Sequence, residues 1–110
     1  MSVESAAGLF EGEGCIWLAG GTYPRIKLLM TDRDVVERFA DVVGGTCRER
    51  SHHRHGAPSH LKPIYGVEMT GAEAKRVLRM FLPYLGERRG AKAREAMAYA
   101  PAPWARQEDA

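Results

Sequence analysis

Residues Gly8 to Gly14 read Gly-Leu-Phe-Glu-Gly-Glu-Gly, two carboxylates interleaved with three glycines. If the segment Ser2–Gly12 is helical, Gly8 and Gly12 stack on one face that carries almost no side chain. Another backbone can then approach closely, as small residues four apart allow between membrane helices, a geometric analogy only. Ser2 can serve as N-cap and Glu4 sits favourably in the first turn. Gly14 is read as the glycine that stops the helix. Glu13 therefore closes the helix beside the negative end of its dipole, a poor position for a carboxylate on stability grounds alone. It is a good position for holding a hard divalent cation, which takes carboxylate and carbonyl oxygens. Glu11 lies two positions back and points elsewhere. Its expected role is a structural hydrogen bond or salt bridge.

The elements that must position these groups can be read from periodicity. Cys15–Ala19 is apolar enough for a strand, and Gly20-Gly21-Thr22 supplies a turn. Tyr23–Met30 is a second strand in which Ile26, Leu28 and Met30 alternate with Arg25 and Lys27, with Leu29 breaking the pattern. Thr31 or Asp32 caps a helix over Arg33–Val43, whose stripe of Val35, Val36, Phe39, Val42 and Val43 faces a core. Thr46–Arg50 is a third strand with Arg48 and Arg50 on one face. Ser51–Leu61 is a polar loop, and Lys62–Thr70 is a fourth strand with Tyr65, Val67 and Met69 facing the core. Gly71–Leu82 is a helix with Ala74, Val77, Leu78, Phe81 and Leu82 buried, ended by Pro83. A more polar helix follows over Glu87–Ala100. This order predicts an α+β domain, αββαββα, with an antiparallel sheet and helices on one face. Residues 1–100 form a single domain and 101–110 a flexible tail.

Length and composition bound the function. A chain of 110 residues is one domain with a modest core, which dimerisation would help. At 45% hydrophobic and 27% charged residues it is an ordinary globular composition, with no apolar run of membrane-span length and no signal-peptide pattern at the start. Cys15 and Cys47 have no motif spacing and are read as free thiols. The expected location is cytoplasmic, on the nucleoid. The net charge of +2 conceals segregation. Residues 1–13 hold Glu4, Glu11 and Glu13 with no base. Residues 75–94 hold Lys75, Arg76, Arg79, Arg88, Arg89, Lys92 and Arg94 against Glu87 alone. Arg48, Arg50, Arg54 and Lys62 cluster against Glu49. Local basic clusters on a near-neutral chain suit a patch that meets phosphate; solvated helix and strand faces are the alternative.

The stretch Ala6–Gly14 resembles the signature of the LAGLIDADG homing endonucleases. Ala6 stands in the usual leucine position and Phe10, Glu11, Gly12 and Glu13 complete the motif, with glutamate where aspartate is commoner. The predicted αββαββα order agrees with that family over about residues 2–95. Pro83-Tyr84-Leu85 and the basic pair after it extend the match, with Arg88 where the family usually has lysine. The motif occurs once, and single-motif members of the family are homodimers whose motif helices meet at the two-fold axis. The resemblance implies that Gly8 and Gly12 form that crossing. It implies that Glu13 binds Mg²⁺ with a nearby main-chain oxygen, taken as that of Gly14, and that Arg88 stands near the scissile phosphate. Arginine cannot serve as a base there but can stabilise developing charge. Two Glu13 carboxylates at an axis repel unless cations neutralise them, and bridging Mg²⁺ ions suit in-line phosphodiester hydrolysis.

The resemblance also implies that Thr31 orders water near the metals, where the family often has glutamine. An ordinary helix cap is the alternative for this residue. It places Arg25, Lys27, Arg48, Arg50 and Lys62 along the DNA major groove, with Arg89 as a further DNA contact. The leading expectation is a homodimeric, Mg²⁺-dependent, site-specific endonuclease acting on double-stranded DNA, with no membrane partner. A non-cleaving DNA-binding protein of the same fold, a regulator or splicing helper, is the runner-up. A small metal protein built on His52, His53, His55 and His60, with Cys47, is a third reading, although their spacing matches no standard zinc pattern.

Overall fold

The structure is a computed structural model that describes residues 1–19, 23–50 and 62–99. The Gly20–Thr22 turn, the histidine-containing loop of residues 51–61 and the expected tail lie outside the described residues. Helix α1 (Val3–Glu13) leads into strand β1 (Gly14–Ala19) and strand β2 (Tyr23–Met30). Helix α2 (Arg33–Val43), strand β3 (Arg48–Arg50), strand β4 (Ile64–Thr70), helix α3 (Gly71–Phe81), a 3-10 turn (Leu82–Tyr84) and helix α4 (Glu87–Ala98) follow. The strands form one antiparallel sheet in the order β1-β2-β4-β3. All four helices pack on its apolar face, so the expected α+β architecture is the observed one.

The boundaries follow local chemistry. The Ser2 side chain accepts a hydrogen bond from the Ser5 amide and so caps α1 as expected. α2 begins at Arg33 with Asp32 as N-cap, although the Asp32 side chain makes no capping bond, and it stops at Gly44 in the left-handed conformation. β3 and β4 are shorter than the alternation suggests. Pro63 has no amide to give to a ladder, so β4 starts at Ile64, and β3 pairs with it over Arg48–Arg50, opposite Gly66 to Ile64. Pro83 falls in the first turn of the 3-10 element that ends α3.

Gly14 departs from its expected form. It ends α1 in an extended conformation (φ −83°, ψ 161°) and is the first residue of β1. Its glycine identity answers a close approach, since a Cβ there would overlap the ring of Phe10. That ring is fully buried. Phe10, Phe39 and Phe81 pack with centroids 5.6 to 6.4 Å apart and tie α1, α2 and α3 together over the sheet. Such aromatic pairs add about 0.5–1.5 kcal/mol each beyond the area they bury. The stripe Val36, Phe39 and Val43 of α2 is buried as expected, joined by Ala40, while Val35 and Val42 are half-exposed. None of the described helices is long and apolar enough to cross a membrane.

Candidate nucleic-acid interface

Antiparallel register decides which side chains share a face. Gly14 pairs with Leu28, Trp17 with Arg25 and Cys15 with Lys27. Ile16, Ile26, Leu28, Val67 and Met69 point to the helices and are buried. The alternate residues point away from them. Arg25 and Lys27 on β2 therefore stand on the outer face, and so do Arg48 and Arg50 on β3, which pair with Gly66 and Ile64 of β4. The alternation seen in single strands becomes one face that carries the cations of β2 and β3 on either side of β4. Lys62 is exposed two residues before β4 rather than inside it.

Three of the four cations of this face have partners within the fold. Trp17 lies between two of them, with the Arg25 guanidinium 5.8 Å and the Lys27 ammonium 5.1 Å from its ring. Arg25 also lies 5.7 Å from the ring of Tyr23. Arg50 forms an ion pair with Glu68 at 2.7 Å. Arg48 is exposed and makes no ion pair with a described residue. Trp17 and Tyr23 thus line the outer face; strand period alone puts Tyr23 beside Arg25, whereas only the pairing of β1 with β2 brings Trp17 there.

The second feature is the corner where α1 ends. Glu13 is exposed and has no hydrogen bond or ion pair with any described residue. Glu11 has the structural role expected of it. Its Oε1 accepts the Gly86 amide at 2.7 Å at the start of α4, and its Oε2 is 2.9 Å from Arg89 Nε. Arg89, expected to contact DNA, is instead committed inside the chain. Its guanidinium pairs with Glu11, lies 5.9 Å from the Phe10 ring and donates to the Gly14 carbonyl. The Gly14 oxygen, expected as a metal ligand, is thus already an acceptor for a cation. Sequence reasoning missed this lock because the partners are 75 residues apart.

Arg88 is exposed at the same end of α4 and pairs with no described residue. It joins Lys92 on a depression of about 450 Å³ that Ile16 of β1 also lines. Thr31 is exposed just beyond β2, at the end of the sheet where Gly14 starts β1, and Asp32, the other candidate, takes the cap position. Gly8 and Gly12 are both exposed, and a Cβ at either would meet nothing within 4 Å. The glycine face of α1 is therefore open in the single chain. Among the described residues no group of three or more His, Cys, Asp or Glu side chains converges on a common point. The histidines of the third reading and the Arg54 between them lie outside the described residues.

An antiparallel four-stranded sheet, helices on one side, cations on the other and an acid-ended helix at one corner define the LAGLIDADG homing endonuclease fold. Solved structures bear this out. One is the homing endonuclease I-CvuI in complex with its target Sro1.3 in the presence of 2 mM Ca, similar at 18% identity with a TM-score of 0.62. Another is I-CvuI with the I-CreI target C1221 in the presence of 2 mM Mg, its DNA not cleaved, similar at 17% identity with a TM-score of 0.63. Each likeness covers 86% of this chain and 62% of that one, so this chain spans about three fifths of the length of the proteins it matches. No protein-family model matches the sequence, and no curated protein does. The likeness shows the fold, which is that of the proteins whose signature the Ala6–Gly14 stretch resembles.

Proposed function

We propose that the chain is a site-specific, metal-dependent endonuclease of the homing type that acts on double-stranded DNA as a homodimer. The observation that carries this reading is the outer sheet face, where Arg25, Lys27, Arg48 and Arg50 from two strands share one side, away from the helices. A solvated strand face explains one cationic strand; a groove-lining surface explains a sheet of them. The open Gly8–Gly12 face supports pairing of α1 with its copy in a second protomer, the arrangement that the resemblance implies.

A divalent cation fits this corner in part. Glu13 offers an exposed carboxylate without a competing partner, the hard oxygen ligand such an ion takes. The Gly14 carbonyl fits less well, because Arg89 already donates to it. The Glu13 carboxylates of two protomers and the phosphate oxygens would hold the ion. When bound it would supply Lewis-acid stabilisation of charge on the phosphate and leaving oxygen. Arg88, exposed on the first turn of α4, would add a fixed positive charge near that phosphate. Arg89 acts behind it, holding α4 against the end of α1. Thr31 is assigned the weaker role of ordering water.

The experiment is incubation with a randomised duplex library, scoring binding and cleavage separately in Mg²⁺ and in Ca²⁺. Glu13→Gln keeps the shape and removes the charge. It is expected to abolish cutting and to preserve or strengthen binding, since less negative charge then faces phosphate. A Gln variant that cuts as fast as wild type removes Glu13 as the metal ligand. The non-cleaving alternative is favoured by one specific observation, the occupation of the Gly14 oxygen by Arg89. It prevails if the wild type binds a defined target and leaves it intact in Mg²⁺.

A further inference from the structure

Glu68 is the one acid that the described strands place on the outer sheet face. On a surface that only neutralised phosphate it would work against binding, because it repels the backbone that Arg25 and Lys27 attract. Its geometry suggests a different use. Arg50 stands on the edge strand opposite Ile64, four residues before Glu68 on β4 and roughly 13 Å away along that strand. The two side chains nevertheless meet, Nη2 to Oε2 at 2.7 Å.

Gly66 lies between them on the same face of β4, where a Cβ would collide with Leu29 and touch Arg50 Cγ at 3.4 Å. The Arg50 stem therefore lies along β4 across the gap that Gly66 leaves, beside Leu29, and its guanidinium is tied down at the far end. Both side chains are about one third exposed, at 31% and 34%, so the guanidinium is fixed but still accessible. An arginine has five donors in a rigid fork, and Nη2 is the group engaged here. The remaining donors have no partner among the described residues.

We propose that Arg50 and Glu68 form one base-reading unit, in which Glu68 braces Arg50 to select a G·C pair at a single position of the DNA each subunit contacts. A fork held in one plane can donate two parallel hydrogen bonds to guanine O6 and N7, the commonest specific arginine contact in the major groove. Bracing removes the rotamer entropy that a loose arginine loses on binding, so more of the contact appears as discrimination. Arg48, one register step away and without a described partner, lacks such a brace and is suited to phosphate. The inference rests on the sheet face being the DNA surface.

The test is selection of the full chain on a randomised duplex library in Ca²⁺, followed by sequencing, for wild type, Glu68→Met and Arg50→Lys. Methionine keeps the length and removes the acceptor; lysine keeps the charge and removes the fork. Both variants are expected to lose about ten-fold of the guanine preference at the same single position and to retain the rest of the consensus. The proposal is overturned if Glu68→Met keeps the wild-type consensus, if the two variants relax different positions, or if preference falls evenly everywhere. A wild-type consensus that survives Glu68→Met overturns this inference alone. A wild type that binds no DNA overturns the DNA reading and this inference with it.

Discussion

Adding a methyl group to Gly8 and Gly12 is expected to stabilise the single chain and to break the proposed dimer. In the isolated fold a Cβ at either position meets nothing within 4 Å, so there is no clash to offset the gain in helix propensity. Alanine is better than glycine in a helix interior by about 0.8–1.0 kcal/mol. Gly8 lies mid-helix and receives most of this. Gly12 lies in the last turn of α1, which ends at Glu13, and receives less. The double variant Gly8→Ala/Gly12→Ala is therefore expected to gain about 1.5 kcal/mol per single chain. Across a two-fold crossing the same change inserts four methyl groups where backbones approach. Overpacking costs about 1–3 kcal/mol per site, so the dimer loses about 4 kcal/mol or more. That is roughly a thousand-fold weaker dimer dissociation constant. Urea unfolding at low protein concentration reads the first effect as a raised midpoint with an unchanged slope. Sedimentation velocity over a concentration series, with and without DNA, reads the second. The reasoning is refuted if the double variant dimerises at the same concentration as wild type, or if the wild type sediments as a monomer at micromolar concentration even with DNA.

Further outcomes are expected. DNA affinity should fall with salt with a logarithmic slope of about −5 to −7, from six to eight phosphate contacts in a dimer, and a flat dependence between low and physiological salt excludes the sheet face as the DNA surface. Gly14→Ala should destabilise the fold by about 3 kcal/mol in urea unfolding, because its Cβ overlaps a Phe10 ring that Phe39 and Phe81 hold in place, whereas the extended backbone at Gly14 adds no strain; a cost below about 0.5 kcal/mol would mean the ring can move. Cys15, exposed on the outer face, should be alkylated before Cys47, whose thiol is half-buried and whose pKa burial pushes up, the nearby Glu37 adding to the shift. Bound DNA should protect Cys15, and labelling of Cys15 at the same rate in the complex would place the DNA elsewhere. A thiol raised on folding favours its neutral form, so Cys47 contributes below the unfolded thiol pKa and that contribution is lost as pH rises through the folded value.

The sequence by itself determined the elements and the face each one buries. α2 and β2 have the expected bounds, because an apolar stripe of helical period and a strand alternation broken only at Leu29 leave little freedom in where each starts and which side turns inward. The αββαββα order followed, and with it the class of sheet. The motif glycines and acids were also legible, since their spacing and chemistry are local, and so was the structural role of Glu11 as a kind of interaction. The partners were not. Glu11 with Arg89 and Gly86, and the Gly14 carbonyl with Arg89, join residues 75 or more positions apart, and no period in the chain encodes such a pairing. Gly14 reads locally as a helix stop and is one, but the structure uses it in an extended form whose missing Cβ admits the Phe10 ring. Register was the other tertiary decision. Alternation tells which residues of one strand share a side, but only the pairing β1-β2-β4-β3 puts Arg25, Lys27, Arg48 and Arg50 on the same side, lays Arg50 across Gly66 to Glu68 and sets Trp17 between two cations. A strand's period is fixed by its own backbone, whereas its neighbours and their offset are fixed by the buried face that all the strands must share.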